Sequence, residues 1–435
     1  MVGYSYFQRI CRIFTFFGVR PLLPVRKSKP LILLPAYAHA IVTTALLVSA
    51  VVGALLVVTR RLHSRYSADP FEGAQKLHHE LTPRVGGLAI YMGVLAACWV
   101  ARGLGLPVAG HLALLLLAGI PAWSLGMAED ITKRVRPRWR MLATMVSGVI
   151  ASLISGVSIT QLGVVGVDAL LQVAPLSILF TAFAVGGVAN AVNLIDGMNG
   201  LASFVVCIAF MALGGIALEE NDLALARLCV VMCAALLGFM LFNWPRGLIF
   251  LGDGGSYFLG FVLAWVCVLM THRIATVSAF AMLTICIYPV METLFSILRR
   301  TLRGFSMARP DRLHLHSLFL QRVVRHPQSW LNRQLRATWG KDLSQSANWA
   351  SNAATGMILA LLSVPPALCS YWWHHQHWMS VFLCLLFVLG YIALYARMVC
   401  FSWRSPFTFL LVKPCKRVLY ARMMRRARYK DNSDQ

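Results

Sequence analysis

Apolar runs of about 20 residues recur along the whole chain, and they limit the fold more than any other feature. Within a bilayer only helices and closed barrels satisfy their own backbone hydrogen bonds, and these runs are continuous rather than alternating. Charged residues make up only 13% of the sequence and the mean hydropathy is +0.69, whereas a soluble chain carries roughly twice that charged fraction. We therefore predict an all-α, polytopic membrane bundle.

The runs predict about eleven transmembrane helices within a membrane domain over 31–400. A basic N-terminal arm over 1–30 and a basic tail over 401–435 flank this domain. The spans are placed near 37–58, 87–105, 110–127, 141–157, 174–192, 201–217, 223–242, 256–271, 277–298, 354–372 and 378–399.

The net charge of +24 is concentrated in alternate loops. Loops 59–86, 128–140 and 299–353 are basic, whereas 158–173 has no Lys or Arg and 218–222 is acidic. This positive-inside pattern predicts that the basic loops and the C-terminus are cytoplasmic and the N-terminus is outside, although the arm is basic as well. It also argues against a nucleic-acid partner and favours anionic membrane lipids and phosphorylated substrates. Three histidines, His374, His375 and His377, lie in the last outside loop.

The eleven cysteines are scattered, mostly within the apolar runs, and none forms a Cys-x-x-Cys pair. We expect them to act as small buried hydrophobic residues. They predict neither disulfides nor zinc.

A polar stretch at 190–200 ends one predicted span where aromatic or basic anchors are usual. Asn190, Asn193 and Asp196 are three residues apart, so on a continuing helix they would share one face. Polar side chains at membrane depth usually mark a substrate or ion pathway. The alternative is an ordinary helix C-cap with Gly197 at C′.

Two further loops carry residues suited to chemistry. Thr82, Pro83 and Arg84 precede two glycines, so this backbone can approach a ligand beside a cation, although a solvated loop is the alternative. Glu129 and Asp130 end another span, where adjacent carboxylates serve as metal ligands or as a general base. They equally suit a helix terminus that faces a basic loop.

Two more stretches complete the set. Asp253 stands among glycines before a span, where phosphate oxygens and Mg²⁺ can approach it, although such turns are also common structural features. His314 and His316 lie in the large basic loop, either as contacts for phosphate or metal or as plain surface histidines. All five stretches fall in loops predicted to be cytoplasmic. Together they suit magnesium-assisted transfer of a phosphorylated group, and the lack of a Walker motif gives an ATP-driven pump no support.

In this order, the stretches resemble the polyprenyl-phosphate N-acetylhexosamine-1-phosphate transferases, over about 77–318. That family includes the bacterial enzymes that start O-antigen and enterobacterial common antigen and the phospho-N-acetylmuramoyl-pentapeptide transferase of peptidoglycan synthesis. The resemblance implies a multi-pass glycosyltransferase of the bacterial cytoplasmic membrane. Its reaction would take N-acetylhexosamine 1-phosphate from a UDP-sugar to undecaprenyl phosphate and release UMP.

The resemblance also implies the catalytic residues. Asp253 matches the family's magnesium-binding aspartate, with Mn²⁺ as the alternative ion, and Asn193 is a neighbour of the metal. Glu129 and Asp130 match an acidic pair, usually two aspartates, that deprotonates the lipid phosphate.

Eight further positions are implied as substrate contacts. They are Thr82 and Arg84 in the first loop, Lys133, His314 and His316 for the diphosphate, and Asn190, Asp196 and Asn199 for the nucleoside and sugar.

Three residues depart from the family pattern. Glu129 is one methylene longer than the usual aspartate, which leaves open whether Glu129 or Asp130 is the base. Asn199 stands where many relatives carry a second aspartate. Ser317 stands where the muramoyl-pentapeptide branch usually has another histidine, which favours the O-antigen-initiating type in lipopolysaccharide synthesis.

The implied partners are UDP-N-acetylhexosamine, undecaprenyl phosphate and anionic lipids, with a monomer or a homodimer left open. The alternatives are a phospho-N-acetylmuramoyl-pentapeptide transferase and a non-catalytic transporter or scaffold. Transporters usually place their polar residues at the midplane in broken helices. The polar residues of this chain lie at the ends of its spans, which favours the enzyme.

Overall fold

The computed structural model describes residues 36–62, 82–302, 313–324, 334 and 348–399. Contacts divide the chain into two compact units, Met1–His39 and Ala40–Gln435. Every regular element in the described residues is a helix, which confirms the predicted fold class. The arm 1–30, the tail 401–435 and most of the loop 299–353 lie outside the described residues.

The described α-helices are joined mostly by short turns. They are α1 (Ala36–Val58), α2 (Gly86–Gly103), α3 (Val108–Ala118), α4 (Ile120–Thr132), α5 (Pro137–Ser155), α6 (Val167–Leu171), α7 (Ala174–Ile195), α8 (Leu201–Glu219), α9 (Leu223–Asn243), α10 (Gly252–Arg273), α11 (Ala279–Ile285), α12 (Ile287–Leu302), α13 (Leu315–Phe319), α14 (Asn348–Ala360), α15 (Val364–Trp373) and α16 (His377–Val399). A π-helical turn, Leu320–Val324, follows α13, and a 3₁₀ turn, Leu361–Ser363, joins α14 to α15.

Fewer helical segments than predicted are long and apolar enough to cross a membrane, with α14, the 3₁₀ turn and α15 counted as one segment, Trp349–Trp373. Eight meet both conditions in the described residues, and ten do if two bent pairs each count as one span. The pair α3 and α4 is bent by 47° and the pair α11 and α12 by 79°. The predicted spans 110–127 and 277–298 are therefore broken helices, because Gly119 and Cys286 interrupt them.

The remaining predicted span, 141–157, corresponds to α5. This helix begins with Pro137, Arg138 and Arg140, which lower its average hydropathy. It nevertheless extends along the bundle. Arg140, near its start, pairs with Asp253 at the start of α10, whereas Ile159, just beyond its end, donates its N–H to Thr181 near the start of α7 at 2.8 Å. Because the opposite terminus of α7 contacts Asp253, α5 runs from one end of the bundle to the other.

Polar contacts collect at the two ends of the bundle. The aspartate end consists of the starts of α2, α5 and α10 and the ends of α4 and α7, whose side chains meet around Asp253. The opposite, histidine end carries the turns after α8, α10 and α15. There Arg273 pairs with Asp222 at 2.6 Å, and Ser278 donates its N–H to the His374 carbonyl at 2.8 Å. The chemically distinctive loops therefore lie at one end.

Helix α10 is at the centre of the bundle. Every residue from Gly252 to Val266 is buried, and no Asp, Glu, Lys or Arg follows Asp253 until Arg273. A helix that is apolar on all sides is expected to be enclosed by other helices. The first turn of α10 therefore holds Asp253 in the interior of the aspartate end.

Glycine lets α2 pack directly on α10. A Cβ atom at Gly87 would lie 2.3 Å from both the Cα and the N of Gly255, and backbone atoms cannot move aside as a flexible side chain can. Gly87 also donates its N–H to the Leu251 carbonyl at 2.9 Å. We expected these glycines to let a ligand come close to the backbone. In the structure, Gly87 instead lets α2 come close to α10.

Gly87→Ala should destabilise the protein, because its methyl group would force α2 and α10 apart at a cost of about 1–3 kcal/mol. Gly103→Ala on the same helix is the matched control, because a Cβ atom there meets nothing within 4 Å. The measurement is the thermal unfolding temperature in detergent. Equal unfolding temperatures for the two variants would contradict the packing argument.

Candidate active site at the aspartate end

Asp253 is the residue on which the aspartate end converges. Its Oδ1 accepts hydrogen bonds from Nη2 of Arg84 at 3.2 Å and from Nδ2 of Asn193 at 3.1 Å. Its Oδ2 faces Nη1 of Arg140. Asn193 also donates to Oγ of Ser256 at 2.8 Å, one turn further along α10. Four separate segments of the chain therefore meet at one carboxylate.

Asp130 fixes the start of α10. Its two oxygens accept the N–H groups of Asp253, at 3.0 Å, and Gly254, at 2.9 Å. These are first-turn amides, which have no partner inside their own helix. Gly252 turns the chain into the helix with φ +76°, and a Cβ atom there would lie 2.6 Å from Oδ2 of Asp130. Asp130 is thus a capping group contributed by α4, and its predicted role as a base stays a prediction.

Asp196 brings a third carboxylate to the same place. It follows α7 directly, accepts the N–H of Gly252 and interacts electrostatically with Arg84 and Asp130. Burial raises the pKa of Asp196 to about 7, although Arg84 and the hydrogen bond from Gly252 lower it. The carboxyl therefore changes charge near neutral pH.

Three cations balance the three aspartates. Nε of Arg84 lies 3.7 Å from Oδ1 of Asp130, Arg140 pairs with Asp253, and Lys133 interacts with Asp130. In the sequence, Arg140 is only one of several positive charges in the loop 128–140, because no pattern distinguishes it from Arg138 two residues earlier. The structure brings Arg140 into the site, where its guanidinium lies 5.9 Å from the ring centre of Tyr257.

Glu129 and Asp130, the acidic pair, bind different parts of the backbone. Whereas both oxygens of Asp130 bind α10, Oε2 of Glu129 accepts the N–H of Val135 at 2.7 Å. Lys133 ends α4 with φ 56°, so this hydrogen bond stabilises the tight turn between α4 and α5. Glu129 is only half-buried, in contrast to Asp130.

The three amides of the 190–200 stretch separate in the structure. Asn193 alone of the three binds Asp253. Asn190 donates to the Gly186 carbonyl of its own helix at 2.8 Å. Asn199 is buried, donating from its side chain to the Pro245 carbonyl at 3.0 Å and from its N–H to Oδ1 of Asn352 at 2.7 Å.

The prediction that Asn190, Asn193 and Asp196 share one face of a continuing helix is wrong beyond the end of α7. The helix ends at Ile195, so Asp196 is its C-cap and Asn199 lies in the following turn. The glycine with positive φ in this turn is Gly200, at +79°, rather than Gly197. Asn190, Asp196 and Asn199 as substrate contacts stay predictions.

The buried Glu292 holds the segment that carries His314 and His316. Oε1 of Glu292 accepts the N–H of Leu315 at 2.9 Å and lies 3.2 Å from Nδ1 of His314. Its Oε2 accepts the hydroxyl hydrogen of Tyr391 at 2.7 Å. The rings of His314 and His316 stack with an interplanar angle of 4°. Sequence reasoning missed Glu292, although an acidic residue within the predicted span 277–298 was the signal for it.

His316 lies against the turn that follows α7. A Cβ atom at Gly197 would lie 2.7 Å from its Nε2, which places the imidazole beside the residue after Asp196. Burial lowers the pKa of His316 to about 4, so the ring is neutral at pH 7. Its buried Nδ1 has no hydrogen-bond partner among the described residues. A neutral ring with an unused nitrogen can bind an incoming ligand.

The first loop is held against the start of α10. Phe250 donates its N–H to the Pro83 carbonyl, and Gly86 donates to the Phe250 carbonyl, both at 2.9 Å. Thr82 is buried beside this pairing. The neighbouring His78 and His79, and residues 303–312 before His314, lie outside the described residues.

The oxygen atoms at the aspartate end suit a hard divalent cation. Asp253, Asp196 and the amide oxygen of Asn193 are of the ligand type that Mg²⁺ prefers. They come from only two segments, the start of α10 and the end of α7, whose spacing the Asn193–Asp253 hydrogen bond sets. The donor set therefore fits the ion.

Comparison with known proteins identifies one matching family. The sequence model described as glycosyl transferase family 4 matches residues 112–271. The matched range contains Glu129, Asp130, Asn193, Asp196 and Asp253. It therefore covers the acidic part of the site and leaves the first loop and the histidines outside.

Three curated bacterial relatives are similar over a longer range. The chain is 31% identical to the undecaprenyl-phosphate alpha-N-acetylglucosaminyl 1-phosphate transferase of Salmonella typhi, across 66% of this chain and 78% of that one. It is 30% identical to the decaprenyl-phosphate N-acetylglucosaminephosphotransferase of Mycobacterium leprae, across 60% and 72% respectively. It is 26% identical to a probable undecaprenyl-phosphate N-acetylglucosaminyl 1-phosphate transferase of Bacillus subtilis, across 63% and 75%.

Asp196→Asn should stabilise the metal-free protein, and more so at pH 8 than at pH 5. An unfolded chain loses the Asp196 proton near pH ~4, whereas the folded protein keeps it up to about pH 7. The native carboxyl therefore lowers folding stability progressively as the pH rises between those values. The measurement is the unfolding temperature of both proteins at the two pH values in chelator.

Asp168→Asn is the control for this comparison. Its carboxylate binds the N–H groups of Leu162 and Gly163, away from the aspartate cluster. An Asp196→Asn effect of the same size at pH 5 and pH 8 would contradict the raised pKa.

Proposed function

The chain belongs to glycosyl transferase family 4, as a polyprenyl-phosphate N-acetylglucosaminyl-1-phosphate transferase, and from this premise we propose its reaction. The donor is UDP-N-acetylglucosamine or a related UDP-N-acetylhexosamine, and the acceptor is undecaprenyl phosphate. The products are undecaprenyl-diphosphate sugar and UMP. The reaction starts a cell-envelope glycan of the O-antigen type.

The observation that carries the proposal is the convergence of Asp253, Asn193, Arg84 and Arg140 at one end of a helical bundle. A transfer between two phosphorylated substrates needs oxygen ligands for a cation and fixed positive charges beside them. A site at the end of the bundle also admits a water-soluble nucleotide and a membrane lipid together. We place this end on the cytoplasmic side, because its loops are the basic ones.

In the net reaction one P–O bond forms and one breaks. An oxygen of the lipid phosphate bonds to the phosphorus that carries the sugar. The bond from that phosphorus to the bridging oxygen of the diphosphate breaks, and the electron pair leaves with UMP. Both reactants are anions, so the protein must reduce their repulsion.

The residues of the chain reduce this repulsion in two ways. Asp253, Asp196 and Asn193 would hold Mg²⁺, or Mn²⁺, and the ion when bound supplies positive charge at the diphosphate. Arg84, Arg140 and Lys133 interact with the same carboxylates, and an incoming phosphate would share their positive charge. His316, which is neutral, adds a hydrogen-bonding nitrogen.

We assign the base to Glu129 rather than to Asp130. Both oxygens of Asp130 accept backbone N–H groups of α10 inside the bundle, so this buried carboxylate is occupied in holding that helix. Glu129 binds the backbone through one oxygen only and is partly exposed. Its extra methylene extends its reach towards the lipid phosphate.

The alternatives have less support. The Ser317 position and the names of the three relatives favour a UDP-N-acetylglucosamine-type donor over a muramoyl-pentapeptide donor. A transporter would concentrate its polar groups at the middle of the bundle, whereas the ionisable groups around Asp253 lie at helix ends.

The direct test is exchange of labelled UMP into a panel of UDP-N-acetylhexosamines by purified protein with undecaprenyl phosphate and Mg²⁺. We expect exchange with wild type and a loss of at least 100-fold in Asp253→Asn, because the carboxylate at the centre of the site is removed. Asp168→Asn, the same change at the opposite end, should retain activity. No exchange with any donor in wild type would remove the proposed reaction.

Glu129→Gln and Asp130→Asn should fail in different ways. Glu129→Gln should lower kcat, because the general base is absent, while the unfolding temperature stays near wild type. Asp130→Asn should lower the unfolding temperature, because an amide cannot accept both N–H groups of α10. The reverse pattern would assign the base to Asp130.

A further inference from the structure

Three ligand-type side chains meet at the histidine end, at the opposite end of the bundle from Asp253. Glu220 follows α8, and His374 and His375 follow α15. Oε1 of Glu220 lies 3.3 Å from Nε2 of His374 and 3.2 Å from Nε2 of His375. The three atoms all lie within 4.8 Å of one another. The adjacent His374 and His375 rings are 3.8 Å apart between centroids.

We propose that Glu220, His374 and His375 form a zinc-class divalent cation site with a fourth position open to water. His₂Glu with one open position is an established ligand set for zinc. Two ligands of a tetrahedral zinc ion, each about 2.0–2.1 Å from it, lie about 3.3 Å apart. Both distances from Glu220 to the histidines match that separation.

The hydrogen bond on the far side of His374 supports a cation. Nδ1 of His374 lies 2.8 Å from the Tyr371 carbonyl oxygen, which can only accept, so Nδ1 carries the hydrogen. In the neutral ring, Nε2 then presents a lone pair to the carboxylate of Glu220, which also presents lone pairs. A metal ion between them satisfies both. A hydrogen bond from the second ring nitrogen to a backbone carbonyl is the usual outer support of a metal-bound histidine.

The site is held in place yet reachable from solvent. The His374 side chain is fully buried, and its carbonyl accepts the N–H of Ser278 at 2.8 Å, which ties the turn to α11. The side chains of Glu220 and His375 are 19% and 30% exposed. An ion can therefore enter without unfolding the turn. The expectation of no zinc considered only the cysteines; the ligands are histidines and a glutamate separated by 154 residues of sequence.

A bound ion would join the end of α8 to the end of α15. Because the ion binds only the folded arrangement, it should raise the unfolding temperature, and the rise should grow with the logarithm of its concentration once that exceeds Kd. The proposed transferase reaction at the aspartate end does not depend on this site.

The experiment uses the full chain in detergent with a purification tag that lacks histidine. The protein is stripped with chelator and then kept in excess Mg²⁺, so that the aspartate end does not take up the added ion. Zn²⁺ is titrated by calorimetry, and Co²⁺ by the absorption bands of its tetrahedral complexes. The unfolding temperature is followed with and without Zn²⁺.

We expect wild type to bind one equivalent of Zn²⁺ more than His375→Ala, or to bind it at least tenfold more tightly. His272→Ala, which removes an exposed histidine at the same end of the bundle, should behave as wild type. If His375→Ala is not monodisperse, Glu220→Gln supplies the same comparison. Equal Zn²⁺ binding and equal thermal shifts in wild type and the ligand variant would overturn the proposal.

Discussion

The site depends on the capping of α10 by Asp130. A helix that begins inside a protein carries unpaired N–H groups and a partial positive charge at its start. The buried Asp130 accepts two of these groups, at 3.0 and 2.9 Å, so its oxygens and these amides all have partners. Since α10 is the central helix, this contact between α4 and α10 also fixes the position of Asp253. Asp130 and Asp253 therefore serve both the packing of the bundle and the candidate site.

Charge balance is the second constraint on the aspartate end. Three carboxylates and three cations are gathered there, with Asp130 and Asp253 buried, and each charge is tolerable because opposite charges lie beside it. At such a site a phosphate can replace a carboxylate beside an arginine, and a metal cation can replace an arginine beside a carboxylate. The net charge then changes little. That property suits a reaction in which anions enter and leave.

Sequence reasoning identified the groups at the site better than their roles. The order of the motifs led to Asp253, Asn193 and Asp130, which do meet. Asn190 and Asn199 have the same chemistry as Asn193, but their amides bind backbone carbonyls. Because helix α7 stops at Ile195, Asn199 lies in the following turn, whereas Asn190, one turn before Asn193 within α7, bonds to its own helix. Arg140 was missed because its partner, Asp253, is distant in sequence, whereas Glu292 was missed although an acidic residue inside an apolar run was a signal for it.

By itself, the sequence determined the all-helical membrane fold and the family, because apolar length and motif order are local properties that can be summed along a chain. Its apolar segments were also visible, although eight to ten rather than eleven of them qualify as spans in the described residues, and the bends at Gly119 and Cys286 were not visible. Only the tertiary structure decided that Asp130 caps α10 across 123 residues of sequence. It also decided that Glu129 is separate from that cap and that Glu220 meets two histidines at the opposite end. These pairings follow from how helices pack, and hydropathy and spacing within one segment carry no information about a partner in another.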